Sequence, residues 1–360
     1  MTPNPVVALP RRALDPPLPR PRGPISAALG AHLRGRGHRS LPSVERGAGW
    51  SDEDAHLALY CCYELHYRGF ADVDPEREWD PQVLTLRRAL EDRFLVELAD
   101  AVGPVPDLPP HGVEQHLLSL ATTSTGPSLS TYVAERATLD QLREFCIHRS
   151  GYQSKEADPH TWCLPRLGGT AKAAMVEIQA DEYGNGVRDE MHAELFAATL
   201  RGLDLDDSYG AYLDRLPAVT LATTNLVSLF GLHRRWRGAL VGHLALFEMT
   251  SVGPMSRYAA AIDRFGGPSS ARRFYDVHVD IDDHHRVVAL EEMVRGLLAD
   301  EPDLGADVIF GAEALTAVER RFADHLLGSW AAQRTSLLGP EADAPTPAGL
   351  GSPVLLTAHG

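Results

Sequence analysis

A chain of 360 residues with 44% hydrophobic and 23% charged residues has the balance of an ordinary soluble globule, long enough for one large domain or two small ones. Its net charge of −15 argues against nucleic acid or an anionic membrane as partner. No apolar run is long enough to span a bilayer, the first residues lack a signal-peptide core, and Cys61, Cys62, Cys146 and Cys163 show no CxxC spacing. The expectation is a cytoplasmic protein with reduced, mostly buried thiols.

Residues 1–45 hold the Pro- and Arg-rich run PRRALDPPLPRPRGP and are expected to form a disordered arm. Order is expected from Trp50, where Ser51-Asp-Glu-Asp resembles a helix cap before a helix over 55–66. Further helices are expected over 81–101 and from His111, the latter broken by the Thr-Ser-Thr-Gly-Pro run at 123–127. Residues 46–129 thus read as an N-terminal helical layer. Glu53 and His56 make one ExxH pair, but a di-iron bundle built on such pairs needs a second copy on another helix. None is found, and the pair is assigned to the surface.

From residue 130 the pattern is helical, with no period-2 strand. Helices are expected over 132–156, 170–183, 188–203, 216–232, 237–265 and 318–331, and from 269 through 298. Gly184-x-Gly186 lacks the third glycine and preceding strand of a nucleotide loop, and is read as a break between helices. Residues 336–360, rich in Pro, Gly and Ala, read as a disordered tail.

The chemistry gathers at His278-Val-Asp-Ile-Asp282-Asp-His-His285. On a helix His278, Asp282 and His285 fall on one stripe, imidazole, carboxylate, imidazole, a donor mixture that suits iron better than structural zinc. A polar, solvated helix face is the bland alternative. His284 is rotated about 100° from His285 and is expected to be exposed. Glu248 lies in an apolar helix, where a carboxylate is either half of a buried salt bridge, to Arg257 or Arg273, or a ligand. Glu156 and Glu182 stand at helix ends, where each is either a ligand or an ordinary terminal acid. Arg257, Tyr258, Arg273 and Tyr275 flank these helices as structural groups or as substrate contacts.

Lys155-Glu156-Ala-Asp-Pro159, Asp181-Glu182-Tyr-Gly184 leading to Met191-His192, and the His-x3-Asp-x2-His stripe together resemble the haem-oxygenase-like di-iron oxidases, a superfamily of iron-containing redox enzymes. The likeness covers roughly 130–335. It implies an all-α, haem-oxygenase-like bundle, a mobile ligand helix, a homodimer, and two Fe(II) ions held by Glu156, Glu182, His192, His278, Asp282 and His285. O2 would be the co-substrate, activated through a peroxo-diferric intermediate, and an external electron donor, such as a reductase, would serve repeated turnover. In family members that oxygenate nitrogen the central helix supplies a further carboxylate, the place that Glu248 takes here. The resemblance therefore implies N-oxygenation of a small-molecule amine or amino-acid-derived nitrogen in specialised metabolism. The alternatives are desaturation or oxidative C–C cleavage at the same site, or a non-catalytic helical metal-binding protein.

Overall fold

The structure is a computed structural model that describes residues 15–36, 41–44, 49–123 and 128–339. Among these residues the regular elements are helical. They run α1 Pro24–Leu33, α2 Glu53–Glu64, α3 Pro81–Val102, α4 Pro110–Thr122, α5 Leu129–Glu135, α6 Leu139–Gln153, α7 Asp158–Thr161 and α8 Gly169–Glu182. Then follow α9 His192–Gly202, α10 Ala218–Leu232, α11 Arg237–Arg264, α12 Ser269–Val287, α13 Arg295–Asp300 and α14 Gly305–Ala331. A π-helical stretch, Val288–Val294, joins α12 to α13. No helix among the described residues is long and apolar enough to cross a membrane. All four cysteines are buried and free.

Helix α11 is the axis of the bundle, packed against α5, α10, α12 and α14. Its approach to α14 is a backbone-on-backbone contact. A Cβ at Gly242 would fall on the Val308 carbonyl, and one at Gly311 on the Ala239 carbonyl. Two glycines facing each other's neighbours let the helices close to a separation that no larger residue permits. The chain spends that closeness on a dry core, with Ala239, Leu240, Ala245, Val308 and Ala312 all at 2% exposure or less.

Several sequence expectations change. Part of the expected arm is ordered: α1 forms because the Asp54 side chain, from α2, accepts from the backbone N–H groups of Ile25 and Ser26, both at 2.7 Å. The helix expected over 132–156 is two helices, since Thr138 and Gln141 make a reciprocal capping box that starts α6 and ends the run before it. The last helix begins at Gly305, well before 318, because small residues there pack on α11. Glu53 and His56 do not form a surface pair. Glu53 binds Arg22 at 2.7 Å and accepts from the N–H of Ala218 at the start of α10, at 2.8 Å. His56 is buried against Phe94.

The start of the expected tail is also packed. Ser336 is buried, donating to Glu144 from its N–H at 2.9 Å and from its hydroxyl at 2.7 Å, and Leu337 is buried beside it. Residues 1–14, 37–40, 45–48, 124–127 and 340–360, which hold the rest of the expected arm and most of the expected break and tail, lie outside the described residues.

Two predictions follow from this packing. Gly242→Val should cost roughly 2–3 kcal/mol in urea denaturation, while Gly328→Ala, where a Cβ meets nothing within 4 Å, should be neutral or slightly stabilising. Burial pushes the His56 imidazole down to about 4 from 6.5, and His148 well below that ordinary value. A depressed imidazole means that the unfolded chain binds protons first as pH falls, so stability is full above about pH 6.5 and drains below it. His56 alone should remove on the order of 3 kcal/mol by pH 4. Replacing it with Gln should flatten the fall of the thermal midpoint between pH 6.5 and 4.

Candidate metal centre

Five segments deliver side chains to one interior point. Glu156 follows α6 in a turn whose next residue, Ala157, takes φ 73° and ψ −37°, a left-handed backbone that a non-glycine residue adopts only under tertiary constraint. That constraint is visible on both sides. Lys155 points the other way and pairs with Glu64 of α2 at 2.8 Å, both side chains almost wholly buried, with its ammonium 4.6 Å from the Tyr60 ring centre and 4.4 Å from that of Tyr67. Glu182 is the last residue of α8. The chain then turns through Gly184, Asn185 and Gly186, all at positive φ, and returns His192 as the first residue of α9. A Cβ on Gly184 would strike the Glu190–Met191 peptide, so the return requires glycine there. Glu248 comes from the middle of α11, and His278, Asp282 and His285 from the inner face of α12.

All seven groups expected from the sequence are buried, at 7% exposure or less. Ligand-type atoms of Glu156, Glu182, His192 and His278 lie within 4.8 Å of one another, and so do those of Glu182, Glu248 and His285. Glu182 belongs to both sets. Asp282 joins neither at that spacing, but its Oδ1 is 3.7 Å from His285 Nδ1. The salt-bridge alternative for Glu248 fails: Arg257 donates to Ser130 at 2.8 Å and Arg273 pairs with Glu190 near the surface. Tyr275 is buried beside Cys146, and Tyr258 beside Phe145. His284 is exposed and pairs with Glu177 at 2.8 Å.

The donor atoms are held ready and left without partners. His278 donates from Nδ1 to the Phe274 carbonyl at 2.8 Å, which turns Nε2 toward Glu156, 3.8 Å away. His285 donates from Nε2 to Asp181 at 3.0 Å, which turns Nδ1 toward Glu248, 3.5 Å away. Both oxygens of Glu156 and Asp282, Oε2 of Glu182, both ring nitrogens of His192 and Nδ1 of His285 have no hydrogen-bond partner. The 2.8 Å approach of His192 Nδ1 to Glu182 Oε2 is therefore a charge contact rather than an aligned hydrogen bond. Buried polar atoms in native proteins are nearly always satisfied, and a concentration of unpartnered carboxylate and imidazole atoms fits a site that binds a cation.

Protonation reflects the same strain. Burial, with Glu182, Asp282 and Glu248 adding to it, pushes Glu156 well above the usual carboxylate range. Burial and Glu248 lift Asp282 to about 8. Burial works against Glu182 too, but His192, His278 and His285 outweigh it and hold that carboxyl at about 2. Burial would lower His285, yet Glu248 and Asp181 raise it to about 9, while burial and His192 bring His278 down to about 4. A cation bound among these groups would take the place of such protons.

Beyond these seven groups the cavity is walled by Tyr152, Ala157, His160, Gln179, Leu244 and Phe247. The sequence reading did not single out His160, Gln179 or the role of Asp181. Asp181 had one available signal, its place beside Glu182.

An all-α bundle that buries this donor set offers a site whose carboxylate and imidazole donors suit a transition-metal cation. Residues 143–320 match the family described as iron-containing redox enzyme, and this body of the chain is a haem-oxygenase-like member of that class. A stretch of 148 residues, 41% of the chain, is 26% identical to a nitrosourea synthase from Streptomyces achromogenes subsp. streptozoticus. The match spans only 31% of that protein's length.

Asp181→Asn keeps the hydrogen-bonding size but removes the charge that orients His285. It should weaken Fe(II) binding about tenfold, measured by anaerobic titration, with the helical circular dichroism unchanged.

Proposed function

We propose that the cluster holds two ferrous ions and that the protein is a di-iron oxygenase which places one oxygen atom of O2 on a nitrogen of a small molecule. Glu156, Glu182, His192 and His278 would hold one ion, and Glu182, Glu248 and His285 the other, with Asp282 completing the second. Glu182 is suited to bridging because it belongs to both donor sets. When bound, the ions would supply the two electrons that start O2 reduction. In the net reaction one oxygen atom enters an N–H bond to give a hydroxylamine and the other leaves as water with two protons. Two electrons come from an external donor, a reductase being the class of partner required. The protein would act as a homodimer, as the resemblance implies.

The observation that carries the nitrogen reading is Glu248. It is a buried carboxylate on the central helix that pairs with neither Arg257 nor Arg273, and it sits within reach of Glu182 and the His285 imidazole. An enzyme of desaturation or C–C cleavage would leave this carboxylate aimed elsewhere. The name of the matched nitrosourea synthase, a protein concerned with an oxidised nitrogen, points the same way. The wall suits such a substrate. His160 and His243 contact each other at 3.2 Å, and burial takes His160 down to about 4 and His243 well below its ordinary value. The pair therefore stays neutral at physiological pH and does not repel an amine.

Anaerobic titration of the metal-free protein should show two Fe(II) per chain, and exposure to O2 with an amine substrate should yield the hydroxylamine. Glu182→Ala should abolish tight binding of both ions. Glu248→Ala should retain one and weaken the other at least tenfold. Fewer than two ions in the wild-type protein would leave a non-catalytic metal-binding protein as the better account. A Glu248→Ala variant that keeps both ions and still oxygenates nitrogen would remove the argument for that carboxylate.

A further inference from the structure

Gln179 stands one helical turn before Glu182 on α8, is 3% exposed, and borders the cavity that the carboxylates line. Its Oε1 lies 2.8 Å from the Thr161 hydroxyl oxygen, and its Nε2 has no partner. A buried amide with one end tied and the other free is an expensive arrangement unless the free end meets a ligand.

The hydroxyls behind the amide fix which end that is. Tyr183 donates to the Asp158 carboxylate at 2.9 Å, so its proton is committed. Thr161 has a single proton, yet it faces the Tyr183 oxygen at 2.9 Å, the Ala157 carbonyl at 3.2 Å and Gln179. With Oε1 toward Thr161, three acceptors compete for that one proton. A half-turn about the last side-chain bond of Gln179 exchanges its oxygen and nitrogen without moving any neighbour. Each group then gives one proton to the next: Gln179 to Thr161, Thr161 to Tyr183, and Tyr183 to Asp158. The atom left without a partner, on a residue that lines the cavity, is then the amide oxygen, an acceptor.

We propose that Gln179 is a substrate-binding residue that presents its amide oxygen to the cavity and holds an N–H of a primary or secondary nitrogen beside the metal cluster, with Thr161, Tyr183 and Asp158 as its positioning residues. The inference rests on the di-iron reading above and narrows it. Of the other wall residues outside the cluster, Leu244 and Phe247 offer an N–H no acceptor side chain while Tyr152 and His160 carry polar atoms, and a nitrogen without hydrogen has no proton to give Gln179.

Aniline and N,N-dimethylaniline, both uncharged at neutral pH, differ in the N–H groups that the proposal requires. Their binding to the anaerobic Fe(II)-loaded protein, measured by calorimetry with iron content determined on the same samples, tests it. The wild-type protein should prefer aniline about tenfold, the value of one good hydrogen bond. Gln179→Leu should abolish the preference with two irons per chain retained. Gln179→Glu, which keeps an acceptor toward the cavity, should preserve it, and Thr161→Val, which frees the amide to turn, should reduce it. A preference that survives Gln179→Leu, one lost in Gln179→Glu, loss of iron in the Leu variant, or no aniline binding by the iron-loaded wild type would overturn the assignment of Gln179 alone. Fewer than two irons in the wild type would overturn the di-iron proposal, and this inference with it.

Discussion

Four carboxylates cannot be buried side by side as anions without something positive between them. Three imidazoles offset part of that charge, and protons offset more, which is why Asp282 and Glu156 hold theirs so far above the ordinary range. The helices could have resolved the conflict with Lys or Arg, as buried acids elsewhere in the chain do. Glu64 takes Lys155, and Glu91 takes Arg87 and His233. At the cluster, among the described residues, no Lys or Arg makes such a pair, and the partners of the carboxylates are the three imidazoles. The burial of uncompensated charge is costly enough that it persists only where a bound ion or a reaction makes use of it. The arrangement of α6, α8, α9, α11 and α12 is the structural expression of that requirement.

Holding those groups to a few ångströms depends on rigid packing behind them. The α11–α14 contact provides it, since Gly242 and Gly311 leave each backbone seated on the other and fix the face of α11 from which Glu248 projects. On the opposite side the π-helical stretch directly after His285 packs on α8 and α11. A π turn shifts the following residues around the helix axis, and such turns accompany functional sites. Here it lets α12 present three donors inward while Val288, Met293 and Val294 still reach the core.

Much of the site was legible because helical periodicity maps sequence spacing directly onto a face. His278, Asp282 and His285 had to share a side of α12, and Glu248 stood out against the apolar residues around it. What the spacing could not carry was whatever depends on contact between distant segments. α1 lies in a Pro- and Arg-rich stretch with the composition of a loose arm, and it is ordered by Asp54 from another helix. The interruption between α5 and α6 comes from a local cap that outcompetes helix continuation, a signal present at Thr138 and Gln141 but outweighed by the apolar pattern around it. Asp181 and Gln179 are ordinary helix residues by type. Their significance is set by His285 and Thr161, which arrive from elsewhere in the fold.

The Lys155–Glu156 peptide has a consequence for how the N-terminal layer and the centre influence one another. Its first side chain is held by Glu64 and Tyr60 of α2 and by Tyr67 just beyond it, and its second reaches the cluster. Occupancy of the cluster and docking of α2 thus share one pair of adjacent residues. If the proposed cation binds at Glu156, coupling of that kind would be reciprocal: a cation that fixes Glu156 would also favour the seated position of Lys155, and seating Lys155 would raise affinity for the cation by the same factor. The outer helices would in this sense act on the proposed centre through a single peptide bond.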